Sequence, residues 1–128
     1  MNVTLTNPAG APQPANAYYS QVARVEQADG SVLLFLSGQI AAGETLAEQT
    51  RGVFETIDAL LASQGASLAD VINIRTYLTD ITKLDEYGSV RREFLTGTAP
   101  TSMTFEVPRL FRPEAQVEIE VVAAVVPA

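Results

Sequence analysis

Val32-Leu33-Leu34-Phe35-Leu36 is a run of five apolar residues in a segment too short and too β-rich to be a helix. In a strand, alternate residues point to opposite faces, so this one is apolar on both and needs cover on both. Asn2–Thr6 alternates weakly and reads as an edge strand. The β-rich runs Tyr18–Gln27 and Ser31–Ile40 flank Ala28-Asp29-Gly30, whose Asp-Gly is a hairpin signal. Asn7–Asn16, with Pro8, Gly10, Pro12 and Pro14, is a loop.

Thr45 and Glu48 have the spacing of a capping box. Leu46, Thr50, Val53, Phe54, Ile57, Leu60 and Leu61 follow at helical spacing, and Gly65 stops the helix after about 20 residues, roughly 30 Å. Val71–Thr79 reads as a strand, with Ile72, Ile74 and Leu78 on one face and Asn73, Arg75 and Tyr77 on the other. Thr82 and Asp85 suggest a second capping box. Leu84, Tyr87, Val90, Arg91 and Phe94 then mark a helix ending near Gly97. Ser102–Val107 and Gln116–Val126 are the last strands. The order β-β-β-α-β-α-β-β predicts a single α+β domain over residues 1–128, with about six strands in a mixed sheet. Two helices cover one face of such a sheet. The doubly apolar Val32–Leu36 strand therefore implies an oligomer whose sheets pack through their uncovered faces.

Composition removes several chemistries. The 128 residues contain no histidine and no cysteine, which excludes Ser-His catalysis, thiolate chemistry and the common zinc sites. Acid–base work falls to carboxylates, Tyr, Lys or bound water. With 15 acidic and 8 basic residues the net charge is −7, and a nucleic-acid binder needs a basic footprint that is missing. No apolar run is long enough to span a membrane, and the first residues lack the pattern of a signal peptide. The expectation is a cytoplasmic protein with neither nucleic-acid nor membrane partners.

Several segments resemble the Rid family (YjgF-type reactive intermediate deaminases). They are Tyr19-Ser20-Gln21, Leu36-Ser37-Gly38-Gln39-Ile40, Gln49-Thr50-Arg51, Gly65–Val71 leading into Tyr77-Leu78-Thr79-Asp80, Glu106–Leu110, and Val117-Glu118-Ile119-Glu120. The resemblance runs in order from about residue 17 to 126. It implies a chorismate-mutase-like fold and a homotrimer with small-molecule clefts between subunits. It also implies hydrolysis of enamines and imines to keto acids and ammonia, without a cofactor or metal. Carried over position by position, it puts Tyr19 on the family's site tyrosine and Ser37-Gly38 on its Ser-Gly turn. Glu118 falls on the carboxylate that holds water, and Thr104 where archetypal members often have cysteine.

One position departs. Archetypal members carry an arginine that grips the substrate carboxylate. On the register set by Glu106 that place is Ser102, which has no charge and cannot make a bidentate fork. Arg75, on the strand face away from the helices, is a candidate substitute cation, or a salt-bridging residue of an interface. Tyr19, Ser37, Gly38, Ser102, Thr104 and Glu118 also fit plain structural roles on half-buried strands and a tight bend. Three functions follow: an enamine or imine hydrolase, a non-catalytic small-molecule-binding trimer, and an endoribonuclease or translation inhibitor. The net charge and the lack of histidine weigh against the third.

Overall fold

The computed structural model describes residues 1–127. Its strands are β1 (Asn2–Thr6), β2 (Val22–Glu26), β3 (Val32–Leu36), β4 (Val71–Leu78), β5 (Thr101–Glu106) and β6 (Val117–Val125). Its helices are α1 (Leu46–Ala62) and α2 (Leu84–Phe94). One sheet holds all six strands in the order β1-β2-β3-β6-β4-β5; its pairs are antiparallel except the β4–β5 pair at one edge, which is parallel. The α+β architecture, the element order and the mixed sheet agree with the sequence reading.

Both helices lie on one face. Val53, Phe54, Ile57, Leu60 and Leu61 of α1 are fully buried against a sheet face made by Leu34, Ile74, Val117, Ile119 and Val121. Each such side chain contributes about 1.5–3 kcal/mol by leaving water. Tyr87 of α2 is buried with its hydroxyl 2.5 Å from Oγ1 of the buried Thr76. Phe94 stacks on Phe54, ring centroids 5.2 Å apart. Among the described residues, no helix is long and apolar enough to cross a membrane.

The other face carries no helix. In β3, Val32, Leu34 and Leu36 are buried beneath the helices while Phe35 remains 45% exposed on the opposite side. Val3, Leu5, Met103 and Phe105 are exposed as well. Register puts Val3 and Leu5 on Phe35's side, opposite Val25 and Ala23, and Met103 and Phe105 opposite Arg75 and Tyr77. The strand with two apolar faces thus has one of them open.

Three local expectations need correction. The register shifts between Val71 and Asn73. This bulge buries Val71 and leaves Ile72 47% exposed, so Ile72 does not share the inward face of Ile74 and Leu78. Thr82 does not cap α2. Its own N–H donates to Asp80 Oδ1 at 3.0 Å, capping a 3-10 turn over Ile81–Lys83, and α2 begins behind Lys83 without a side-chain cap. That helix ends at Phe94, before Gly97, because Leu95 leaves helical geometry. By contrast, Thr45 caps α1 as its spacing suggests, accepting from Glu48 N at 3.1 Å. Gly65 takes φ 76° just past that helix, where the Ala66 N–H closes back on Leu61 O at 2.9 Å.

Candidate active site

The site grows from the chain that leaves β3. Ser37 N donates to Gln21 O at 2.9 Å and Ser37 Oγ to Ser20 O at 2.6 Å, which ties this turn to the segment carrying Tyr19. Two residues on, Gln39 and Ile119 exchange backbone hydrogen bonds of 2.9 and 3.1 Å. That bridge lays Gly38 against Glu118. A Cβ placed on Gly38 would sit 2.9 Å from Glu118 Cδ and 3.1 Å from its Cγ, so the absence of a side chain at 38 is what lets the carboxylate lie there.

Buried amides hold this arrangement. Gln39 Nε2 donates to Gln21 Oε1 at 2.8 Å and to Ser37 O at 2.9 Å; Gln21 Nε2 donates to Pro12 O at 3.0 Å. Gln21 N donates to Asn7 Oδ1 at 2.9 Å, so the start and the middle of the proline-rich loop are both tied to Gln21. Tyr19 Oη accepts from Ala15 N at 2.9 Å, which leaves its own proton free to donate outward. Among the described residues, no oxygen accepts from the Gly38 N–H.

These residues border a cleft of about 490 Å³, whose walls include Tyr19, Ser37, Gly38, Gln39, Arg112 and Glu118. Glu118 is half-buried, and no donor among the described residues reaches its carboxylate. Burial holds its pKa above the ordinary carboxylate value, and the nearby charge of Glu120 pushes the same way. An ionised carboxylate with raised basicity and no partner is suited to take a proton from water. A tyrosine hydroxyl and a backbone N–H in the same cleft supply neutral donors.

One chain thus brings together Tyr19, Ser37, Gly38 and Glu118. The other three candidates lie elsewhere. Ser102 and Thr104 sit on β5, which forms a free edge of the sheet, and register places them beside Ile74 and Thr76 on the helix-covered side. Ser102 Oγ accepts from Arg91 Nη1 at 3.1 Å; the same nitrogen lies 3.2 Å from Tyr87 Oη. Arg75 is on the helix-free face, 3.8 Å from Glu120 Oε1, an oxygen that also accepts from Tyr77 Oη at 2.8 Å. That hydrogen bond to Glu120 raises the Tyr77 pKa, with burial adding to it. Arg75 is therefore ion-paired rather than free.

Sequence reasoning missed Gln21, Gln39 and Arg112. The two glutamines stood inside the Tyr19-Ser20-Gln21 and Ser37-Gly38-Gln39 segments, and a polar residue flanking an apolar strand run is a signal that could have marked them. Arg112 sits between Phe111 and Pro113 in the loop before β6, where no periodicity shows which way a side chain turns.

Comparison with known proteins finds matches along most of the chain. A family profile described as Endoribonuclease L-PSP matches residues 9–125. A RutC family protein of Pyrococcus abyssi is 33% identical over 121 residues, covering 88% of this chain and 90% of that protein. A protein of Escherichia coli K12 bearing the name "Putative reactive intermediate deaminase TdcF" is 29% identical over 109 residues, covering 77% and 84%. Among solved structures, Rv2704 of Mycobacterium tuberculosis, described as a member of the YjgF/YER057c/UK114 family, superposes with a TM-score of 0.84. It is 31% identical, with 97% of this chain and 100% of that one covered.

Proposed function

The chain belongs to the endoribonuclease L-PSP family, the family also called YjgF or Rid, and on that premise we propose that it hydrolyses imines or enamines of small carbonyl compounds. The reaction takes place in a cleft between copies of a homotrimer and needs no cofactor. The carrying observation is the Glu118 carboxylate, lodged over Gly38 with its basicity raised by burial and no protein donor occupying it. The deaminase name of the Escherichia coli relative points the same way.

Glu118 orients a water molecule against the C=N carbon and takes its proton as the C–O bond forms. The π electrons pass to nitrogen, giving a carbinolamine. The proton held by Glu118 goes to that nitrogen to complete the carbinolamine's amino group; Glu118 then relays the proton of the new hydroxyl to the same nitrogen, the C–N bond breaks, and ammonia leaves as the carbonyl forms. One water is consumed and one ammonia released. The Tyr19 hydroxyl and the Gly38 N–H steady the oxygen as its charge develops. General-base help of this kind is worth about 10²- to 10⁴-fold in rate.

Trimer assembly is supported by the helix-free face, where Val3, Leu5, Phe35, Met103 and Phe105 stand exposed. Apolar groups gathered on one face mark a contact surface. In the trimer, the free β5 edge of one copy, with Ser102 and Thr104, closes the cleft that holds Glu118 of the next. The test is ammonia release from imines generated in situ by an amino-acid oxidase. Wild type should speed release over buffer, and Glu118→Gln should return it to the buffer rate. Equal rates for the two proteins would refute the mechanism.

Ser102, standing where archetypal members have arginine, favours a second reading as a binding module without turnover. Binding of keto acids with no ammonia release in the same assay would establish it. The RNA-cleaving reading is disfavoured by a net charge of −7 and an isoelectric point near 4.4.

A further inference from the structure

The cleft has one basic lining residue. Of the chain's eight Lys and Arg side chains, Arg24, Arg51 and Arg75 are paired with Glu26, Glu93 and Glu120. Arg91 and Arg92 are held by Tyr87, Ser102 and Ser89, and Lys83 and Arg109 do not line the cleft. Arg112 lines the cleft, and no carboxylate among the described residues pairs with it. Its guanidinium lies over the ring of Phe111, 5.5 Å from the centroid, a placement that keeps a cation oriented without neutralising it.

The loop beneath is anchored. Ala115 N donates to Arg112 O at 3.1 Å. Behind it, the buried Gln49 donates to Glu114 O at 3.0 Å and accepts from Gln116 N at 2.8 Å. Arg112 and Glu118 thus border one cleft as a cation and an anion that do not pair with each other. A ligand carrying a carboxylate next to an electrophilic carbon presents complementary groups to both.

We propose that Arg112 is the residue that selects anionic ligands for this cleft, gripping the carboxylate of a 2-oxo or imino acid while Glu118 faces the adjacent C=O or C=N carbon. The inference rests on the cleft assigned above and puts the anion grip on the β5–β6 loop of the chain that carries Glu118, in place of position 102. Arginine suits the task because its planar fork matches a carboxylate and stays charged at every working pH.

The test is calorimetric binding of 2-oxobutanoate and its neutral counterpart 2-oxobutanamide to wild type, Arg112→Ala, Arg112→Lys and Ser102→Ala, with ammonia release measured in parallel. Arg112→Ala should weaken 2-oxobutanoate by roughly 10- to 100-fold, the worth of a hydrogen bond to a charged group, and leave 2-oxobutanamide unchanged. Arg112→Lys should fall between, and Ser102→Ala should lose less than Arg112→Ala. The proposal is overturned if Arg112→Ala weakens both ligands equally or neither, if Ser102→Ala gives the larger loss, or if wild type fails to prefer the anion. Anion preference that depends on Arg112 without any ammonia release would sink the hydrolase reading and leave this one standing. Ammonia release with anion binding indifferent to Arg112 would do the reverse.

Discussion

Gly38→Ala adds one methyl group at the point where the turn meets the carboxylate. The backbone at 38 lies outside the left-handed region, so alanine can adopt it. The new Cβ would stand 2.9 Å from Glu118 Cδ, where ordinary contact begins at 3.4 Å, and closer still to Oε2. The carboxylate must retreat by about 0.5 Å or more, and it can do so because its other side faces the open cleft. A displacement approaching 1 Å at a reacting group costs up to about 10²-fold in rate. The expected loss in kcat is therefore roughly 10- to 100-fold, about 1.4–2.8 kcal/mol of barrier. KM should stay within about twofold, because the ligand's binding groups do not move. Stability should change by no more than about 1 kcal/mol, since reduced freedom of the unfolded chain offsets part of the steric cost. Steady-state ammonia release and thermal unfolding would be measured together. Undiminished kcat in a folded Gly38→Ala protein would refute the claim that the Glu118 position governs the chemistry.

Glu118→Gln should also reveal its ionisation cost. A folded-state pKa raised above the unfolded value means that, between the two, the native chain binds more protons than the unfolded one. Stability then falls as pH rises through that window. The Gln variant should be more stable than wild type near neutral pH, with the gap closing as the solution is acidified below the ordinary carboxylate range; a gap that widens on acidification would contradict this. Tyr87→Phe leaves the buried Thr76 hydroxyl without its partner, and should lower unfolding free energy by about 1–3 kcal/mol in denaturant titration. Phe35→Asp places a charge at the centre of the helix-free face. Light scattering should find a folded monomer without ammonia-releasing activity, and a persistent trimer would remove that face from the interface.

Much of the architecture could be read from periodicity because burial and spacing agree. Leu46, Val53, Phe54, Ile57, Leu60 and Leu61 were placed on one helix face and all are buried there. The alternation of Val117, Ile119 and Val121 with Glu118 and Glu120 likewise separates the core from the helix-free face. The bulge at Ile72 was hidden because a one-residue shift leaves no mark in an apolar run. The cap of α2 was misread because Asp80 and Thr82 compete for the same turn, and only tertiary packing decides where the α-helix starts. Tyr19, Ser37, Gly38 and Glu118 could be grouped through family likeness, and geometry brings them together in one cleft. Arg112 escaped because a loop side chain's direction depends on hydrogen bonds from residues far away in sequence, here Gln49.

That anchoring by Gln49 divides the loop before β6 in two. Its base is held by a buried amide from α1, and its tip, with Phe111 66% exposed, contributes little to the core. Substitutions at the tip can therefore change which ligand is admitted without endangering the fold, whereas those at Gln49 act on both. Glu118 sits on the core strand beyond that division, shielded from such drift. If the cleft works as proposed, ligand preference can be altered through a few solvent-facing positions while the Glu118 end of the cleft stays fixed.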